Sequence, residues 1–204
     1  KEPFVLTAGR LWDEAKNVAA LAAVAPGLPW PVRVAGEARH PGGTMTATSG
    51  ATGDAGPATP NLYPLGRLDE AEMAHAFARA AIYCLPARYE PFGLSALEAG
   101  LSGCALVLGD IPSLREVWGD AAVYVPPADH GALRDALVGL IGRPDERRAR
   151  AEQALARARR YVSAPMAAAY VGAYKGLRTK ASAPPAGPQA DDAAIDVPAG
   201  TARS

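Results

Sequence analysis

The sequence of 204 residues lacks several features that would assign a function directly. It has two cysteines, 21 basic and 21 acidic residues, and an aromatic content of 6%. The balanced charge argues against a nucleic-acid binder that relies on a broad basic surface. No apolar run reaches the roughly 18 residues that a membrane-spanning helix needs, so no transmembrane segment is predicted. Cys84 and Cys104 lie in apolar runs, where we expect reduced core residues rather than a disulfide or a metal site.

Several nucleotide and metal motifs are also missing. No G-x-G-x-x-G follows the first apolar run, which disfavours a dinucleotide dehydrogenase, and no G-x-x-x-x-G-K-[ST] is present, which excludes a P-loop NTPase. No D-x-D pair is available for a divalent cation, and the three histidines show no metal-ligand spacing. A nucleotide-binding protein with this sequence would therefore hold phosphates through basic side chains and helix N-termini.

Short apolar runs alternate with amphipathic segments along most of the chain. The pattern predicts strands at residues 3–8, 31–36, 61–65, 81–86, 104–110 and 121–125. It predicts helices at 13–24, 69–80, 113–118, 130–141 and 144–160, and one that begins near Ser95. Such alternation is typical of an α/β domain with a doubly wound parallel sheet, here of about six strands.

Two stretches depart from this pattern. Residues 37–60 are rich in Gly, Thr, Ala and Pro and predict a long mobile loop. We expect the folded domain to span residues 1–178, with a last helix capped by Ser163. Residues 179–204, dominated by Pro, Ala, Gly and Asp, predict a disordered C-terminal tail.

The most informative stretch is EPFGLSALE, which runs from Glu90 to Glu98 between a predicted strand and a predicted helix. Loops at the carboxyl ends of parallel strands are where such sheets bind ligands. Both glutamates also have a structural interpretation. Glu90 could pair with Arg88 in the same loop. Ser95 and Glu98 have the spacing of a capping box, which would make Glu98 a helix-capping residue.

A second candidate site follows the first strand. Arg10 comes directly after Gly9, where the backbone can approach a ligand closely, and Lys16 lies in the predicted helix beyond it. Two cations near one helix N-terminus form a candidate diphosphate site. The structural alternative is a pair of solvated charges, or ion pairs with Asp13 and Glu14.

Together these motifs resemble the retaining GT-B glycosyltransferases, in particular glycosyltransferase family 4. The resemblance extends from about Phe4 to Leu177. It rests on the two glutamates with seven residues between them, on the TAGRL run with Lys16, and on the run GDIPSLRE from Gly109. It implies a Rossmann-like domain, the C-terminal half of a GT-B fold. The implied activity is transfer of a hexose from a nucleoside-diphosphate sugar to an acceptor.

The resemblance also implies a role for each candidate residue. Arg10 and Lys16 would hold the diphosphate, and Glu90 would lie near the anomeric carbon, where a carboxylate stabilises developing positive charge. Glu98 would accept hydrogen bonds from the ribose hydroxyls. Further donor contacts are implied at Gly9, Phe92, Gly93, Leu94, Gly66 and Arg67, the last two near the base. The implied chemistry uses no metal and no cofactor beyond the donor itself.

Only the donor-binding half of the family is matched, so the resemblance implies an N-terminal acceptor-binding domain, supplied in cis or in trans. The expected location is cytoplasmic, free or peripheral at the inner membrane face. Two alternatives stay open: a nucleotide-binding or regulatory module that does not catalyse, and a nucleotide-sugar epimerase on the same fold. The Pro-Phe-Gly-Leu run after Glu90 disfavours the epimerase.

Overall fold

A six-stranded parallel sheet forms the centre of the computed structural model, which describes residues 1–37 and 59–161. The strands are β1 Glu2–Ala8, β2 Val32–Ala35, β3 Leu62–Gly66, β4 Ala80–Leu85, β5 Ala105–Gly109 and β6 Val123–Val125. They lie in the order β3-β2-β1-β4-β5-β6, and every neighbouring pair runs parallel. This architecture confirms the doubly wound α/β fold that the sequence predicts.

Helices in the described ranges cover both faces of the sheet. The helices are α1 Val18–Val24, α2 Glu70–Arg79, α3 Leu94–Leu101, α4 Pro112–Trp118, α5 His130–Gly142 and α6 Pro144–Ala158. Leu6 of β1 belongs to the core under α2, α3, α4 and α6, whereas its neighbour Val5 belongs to the core under α1 and α5. Burial on two faces explains why the central strands are continuous apolar runs rather than alternating ones.

The strand order reverses between β1 and β4, which are neighbours although two strands separate them in the chain. At such a switch point the loops that follow the two strands diverge and leave a crevice at the carboxyl edge of the sheet. Both cysteines are free and buried, as predicted: Cys84 lies within β4 and Cys104 directly precedes β5. None of the described helices is both long and apolar enough to cross a membrane.

The first predicted helix is divided, contrary to the continuous helix expected over residues 13–24. A 3-10 turn, Glu14–Lys16, is capped by the Asp13 side chain, which accepts a hydrogen bond from the Ala15 amide at 3.0 Å. Asn17 then adopts a left-handed conformation (φ 55°), and α1 begins at Val18. Asparagine tolerates this conformation better than most residues, so Lys16 ends a tight turn rather than lying within a helix.

Two further details of local structure differ from the sequence-based interpretation. The last strand is present but begins at Val123, two residues later than predicted, because Ala121 ends a 3-10 turn, Gly119–Ala121. The capping box at Ser95 is absent: α3 begins after Gly93 (φ 83°) without a side-chain cap, and Ser95 Oγ lies 2.7 Å from the Tyr83 hydroxyl. The predicted loop over residues 38–58, the helix capped by Ser163 and the tail at 179–204 lie outside the described residues.

Candidate functional site

A cleft of about 370 Å³ opens at the carboxyl edge of the sheet, where the loops after β1 and β4 diverge. Its volume falls in the usual range for small-molecule sites, roughly 300–1,000 Å³. The cleft brings together residues from both candidate motifs, which are separated by about 80 positions in the sequence. The sequence-predicted residues that line it are Gly9, Arg10, Lys16, Glu90, Phe92, Gly93, Leu94 and Glu98.

An ion pair between Lys16 and Glu90 joins the two sides of the cleft. The Lys16 Nζ donates to Glu90 Oε2 at 2.5 Å, and the side chains are 16% and 12% exposed. The other carboxylate oxygen, Oε1, accepts hydrogen bonds from the Gly93 amide at 2.9 Å and the Phe92 amide at 3.4 Å. Both carboxylate oxygens of Glu90 are therefore hydrogen-bonded. Neither Arg88 nor the acids near Lys16 form the ion pairs considered as structural alternatives for Glu90 and Lys16.

The surroundings of Glu90 favour its ionised form. Burial alone would raise the pKa of this carboxyl group, but the ammonium of Lys16 and the two backbone amides outweigh burial and hold its pKa below the ordinary value. A largely buried side chain whose carboxylate stays charged is suited to stabilise positive charge on a bound ligand.

The loop that carries Glu90 is fixed in position from two sides. Ser113 Oγ, at the start of α4, donates to the Glu90 carbonyl oxygen at 2.6 Å. Gly93 has a left-handed φ of 83°, and a Cβ atom there would come within 3.2 Å of Leu114 Cδ2. Glycine at position 93 thus lets the chain turn sharply against α4, which aims the Phe92 and Gly93 amides at the Glu90 carboxylate.

Arg10 lies at the mouth of the cleft and differs from Lys16 in its surroundings. Its side chain is 63% exposed, its guanidinium donates to Asp13 at 3.2 Å, and it lies 5.2 Å from the centre of the Trp12 ring. One structural alternative, an ion pair with Asp13, is therefore present. Exposed pairs of this kind contribute little stability, so Arg10 can exchange Asp13 for an anionic ligand at small cost.

Glu98 lies on the cleft side of α3 with its carboxylate free of donors. Within residues 1–37 and 59–161, no hydrogen bond reaches this carboxylate, and its expected capping partner Ser95 contacts Tyr83 instead. Burial raises the pKa of Glu98, and the nearby carboxylate of Glu70 raises it further. Both oxygens are thus available to accept hydrogen bonds from a ligand.

Two predicted donor contacts do not line the cleft. Gly66 and Arg67 follow β3 at the edge of the sheet, and the Gly66 carbonyl accepts a hydrogen bond from the Gly36 amide at 2.8 Å. In contrast, the cleft includes residues to which the sequence assigned no ligand contact: Ala8, Met73, Phe77, Pro91 and Ser95. Met73 and Phe77 recur at helical spacing on α2, which indicates only that they are core residues.

Comparison with known proteins finds a matching family model and similar sequences. The family model described as glycosyl transferases group 1 matches residues 2–143. A phosphatidyl-myo-inositol mannosyltransferase of Mycobacterium leprae is 38% identical over 122 residues, which cover 58% of this chain and 32% of that protein. A glycogen synthase of Mycobacterium tuberculosis is 40% identical over 91 residues, covering 43% of this chain and 22% of that protein. The matches thus span less than a third of the length of either relative.

Solved structures share the fold. A sucrose-phosphate synthase from Thermosynechococcus elongatus superposes with a TM-score of 0.70 at 23% identity, over 89% of this chain and 47% of that one. TarM superposes with a TM-score of 0.64 at 13% identity, over 86% of this chain and 35% of that one. At these identities the superpositions show a common architecture, that of GT-B glycosyltransferase structures.

Proposed function

Because this chain belongs to the glycosyl transferases group 1 family, we propose that its cleft binds the nucleoside-diphosphate sugar donor of a retaining glycosyltransferase. The observation that carries the proposal is the contact between Lys16 and Glu90 across the β1/β4 switch point. It places a cation suited to a diphosphate beside a carboxylate suited to a sugar. The mannosyltransferase among the relatives supports a hexose as the transferred group.

In this proposal the two cations serve the leaving group. When the bond between the anomeric carbon and the diphosphate oxygen breaks, the electron pair leaves with the diphosphate, and Lys16 and Arg10 stabilise the charge that develops there. The ammonium of Lys16 has three protons, so it can contact a phosphate oxygen while it keeps its bond to Glu90.

Glu90 serves the sugar. Its carboxylate stabilises the positive charge that develops on the anomeric carbon, while the acceptor hydroxyl forms the new bond and loses its proton. Leu94, in the cleft lining, and Tyr89, in the loop before Glu90, are 67% and 68% exposed. Such apolar exposure supports an acceptor-binding domain that closes over this edge and excludes water.

A ligand panel tests the proposed function. We expect one nucleoside diphosphate and its hexose conjugate to raise the melting temperature of the protein, among the ADP, GDP and UDP series and their glucose and mannose conjugates. Glycosyl transfer should then require an acceptor-binding domain added in trans. Donor binding without transfer in any such mixture would favour the non-catalytic nucleotide-binding module. No shift with any ligand, confirmed by calorimetry, would contradict donor binding.

Replacing Glu98 by glutamine should remove the preference for a ribonucleotide over its 2′-deoxy analogue. The neutral amide loses the charged acceptor that two ribose hydroxyls need, and each such bond is worth about 1.5–3 kcal/mol. The melting temperature should stay near the wild-type value, because Glu98 caps no helix and its raised pKa reflects burial and repulsion from Glu70. Calorimetry with both nucleotides makes the measurement.

Glu70→Gln is the matched control for that experiment. It removes the same repulsion between the two carboxylates but leaves the cleft-lining carboxylate in place. The control should therefore keep the full ribose preference. A Glu98→Gln protein that still discriminates ribose from deoxyribose as wild type does would show that Glu98 does not bind the ribose.

Nucleotide affinity should persist in the presence of a chelator. The chain has no D-x-D pair, and Lys16 and Arg10 supply the positive charge that a divalent cation would otherwise supply. Titrations of the preferred nucleotide with and without chelator should give dissociation constants that agree within about twofold, well below the tenfold change that 1.4 kcal/mol produces. A large loss of nucleotide affinity in the presence of chelator would show that a metal ion, rather than Lys16 and Arg10, neutralises the diphosphate.

A further inference from the structure

Asn17 is one of only two polar or charged residues among the described buried positions, and it is 3% exposed. Its side-chain amide donates to the Pro86 carbonyl at 2.9 Å and to the Pro127 carbonyl at 2.8 Å. Both acceptors are carbonyl oxygens, so the amide nitrogen must face them and both of its protons are used. One side chain thus connects the turn after β1 with the loops that follow β4 and β6.

The position of Asn17 in the chain gives these bonds a consequence for the cleft. Asn17 directly follows Lys16, and Pro86 begins the loop that leads to Glu90. Among the described residues, one further group besides the ion pair joins these two segments: the Ala15 carbonyl accepts from the Arg88 and Tyr89 amides at 2.8 and 3.4 Å. The Asn17 amide and this backbone contact therefore set how the turn and the loop face each other.

We propose that Asn17 is a positioning residue, which holds the turn carrying Lys16 in register with the loop carrying Glu90 and so prepares the cleft before any donor binds. This role of Asn17 extends the proposed function, and its expected effect on donor binding depends on that function. Asn17 does not line the cleft, so it acts through the two residues that do. Its left-handed backbone conformation aims the turn, and its amide fastens the turn to the loop.

Asn61 provides an unusually close control. It is the other described non-glycine residue with a positive φ, at 62°, and its amide also donates to backbone carbonyls, those of Ala25, Leu28 and Trp30 at 3.0, 3.0 and 2.9 Å. Asn61 directly precedes β3, at the amino end of a strand and away from the cleft. Glycine at either position keeps the left-handed backbone and removes only the side-chain donors.

The first test needs no ligand. The pKa of Glu90 is measured by carbon-detected NMR titration, with the resonance assigned by comparison with Glu90→Gln. In Asn17→Gly the contact with Lys16 should loosen, so the pKa of Glu90 should rise from its lowered value toward that of an ordinary glutamate, about 4.3. Asn61→Gly should leave it at the wild-type value. If Asn17→Gly does not fold, Asn17→Ser, which keeps one donor, makes the same comparison.

The second test uses the nucleoside diphosphate that stabilises the wild-type protein most. Asn17→Gly should bind it about tenfold more weakly, because the turn and the loop are no longer held in the binding geometry before the nucleotide arrives. A tenfold change corresponds to the free energy of about one to two hydrogen bonds. Asn61→Gly should bind it like wild type, although it too loses stability. A Glu90 pKa that is unchanged in Asn17→Gly overturns the inference. Failure of the wild-type protein to bind any nucleotide contradicts the proposed function and leaves the pKa comparison to decide the role of Asn17.

Discussion

Replacing Lys16 by methionine should weaken nucleoside diphosphate binding and also lower the free energy of unfolding. A charge-assisted hydrogen bond to phosphate contributes about 1.5–3 kcal/mol, so affinity should fall roughly tenfold to 150-fold. The stability loss, about 1–3 kcal/mol, arises because the Glu90 carboxylate remains largely buried without its cation. The 16% exposure of Lys16 excludes the alternative in which it is a solvated surface charge, where no such loss would occur.

Two comparisons make the Lys16 result specific. Arg10→Met should weaken binding but leave the melting temperature nearly unchanged, because its pair with Asp13 is exposed. The double variant Lys16→Met/Glu90→Gln should recover most of the lost stability, because no unpaired charge remains. Calorimetry gives the affinities, and denaturant unfolding gives the stabilities. Equal stability losses in the single and double variants would show that the ion pair is not the cause.

The pH dependence has a sign that can be worked out. In the wild-type protein the pKa of Glu90 is lowered on folding, so its ionised form adds stability above the ordinary glutamate pKa of about 4.3. That contribution is lost as the pH falls through the lowered folded value. In Lys16→Met the ammonium no longer offsets the effect of burial, so the ionised Glu90 carboxylate costs stability. Protonation of Glu90 at low pH removes that cost. The stability gap between the two proteins should therefore narrow on acidification.

Substitution of Gly36 by alanine should strongly destabilise the protein. Gly36 follows β2 with a φ of 140°, and a Cβ atom there would lie 1.8 Å from the Gly9 carbonyl oxygen. Overpacking and backbone strain each cost about 1–3 kcal/mol, so the variant should lose about 2–6 kcal/mol, a large fraction of a domain's stability. Gly9 precedes Arg10, so the displaced backbone should also weaken diphosphate binding.

Gly66→Ala is the control for Gly36→Ala. Gly66 also has a positive φ, 70°, but a Cβ atom there meets nothing within 4 Å. Backbone strain alone should lower the free energy of unfolding of this variant, by about 1–2 kcal/mol. Denaturant unfolding of both variants checks the difference. The control also tests the predicted contact of Gly66 with the base, because lost nucleotide affinity in this variant would support that contact despite its distance from the cleft lining.

Local pattern was enough to predict most of the fold. The apolar runs at β4 and β5 and the spacing of Leu133 and Leu137 on α5 depend on burial against neighbours that any doubly wound sheet supplies. Asp129, a residue type favoured at helix N-termini, caps α5 by accepting a hydrogen bond from the Ala132 amide at 2.8 Å. Features inferred from one or two residues are absent where a residue distant in the sequence determines the contact. Ser95 has capping-box spacing, but the buried Tyr83 hydroxyl provides its contact.

Most residues of the site could be predicted from the sequence, but most of the contacts between them could not. Arg10 and Asp13 are three residues apart, so their ion pair was among the alternatives that local spacing suggested. Lys16 and Glu90 are 74 positions apart, and their contact depends on the adjacency of β1 and β4 and on the break at Asn17. Local periodicity contains no information on either. The positioning bonds of Ser113 and Asn17 were missed for the same reason.

The ion pairs in the cleft also bear on how fast a ligand can arrive. Arg10 is matched by Asp13 and Lys16 by Glu90, Glu98 adds an unpaired carboxyl, and the chain as a whole has no net charge. An anionic nucleotide therefore approaches a surface without excess positive potential. We expect its association rate constant to change little with ionic strength, unlike electrostatically steered encounters. Selectivity among nucleotides should then arise after contact, in the rates at which they leave.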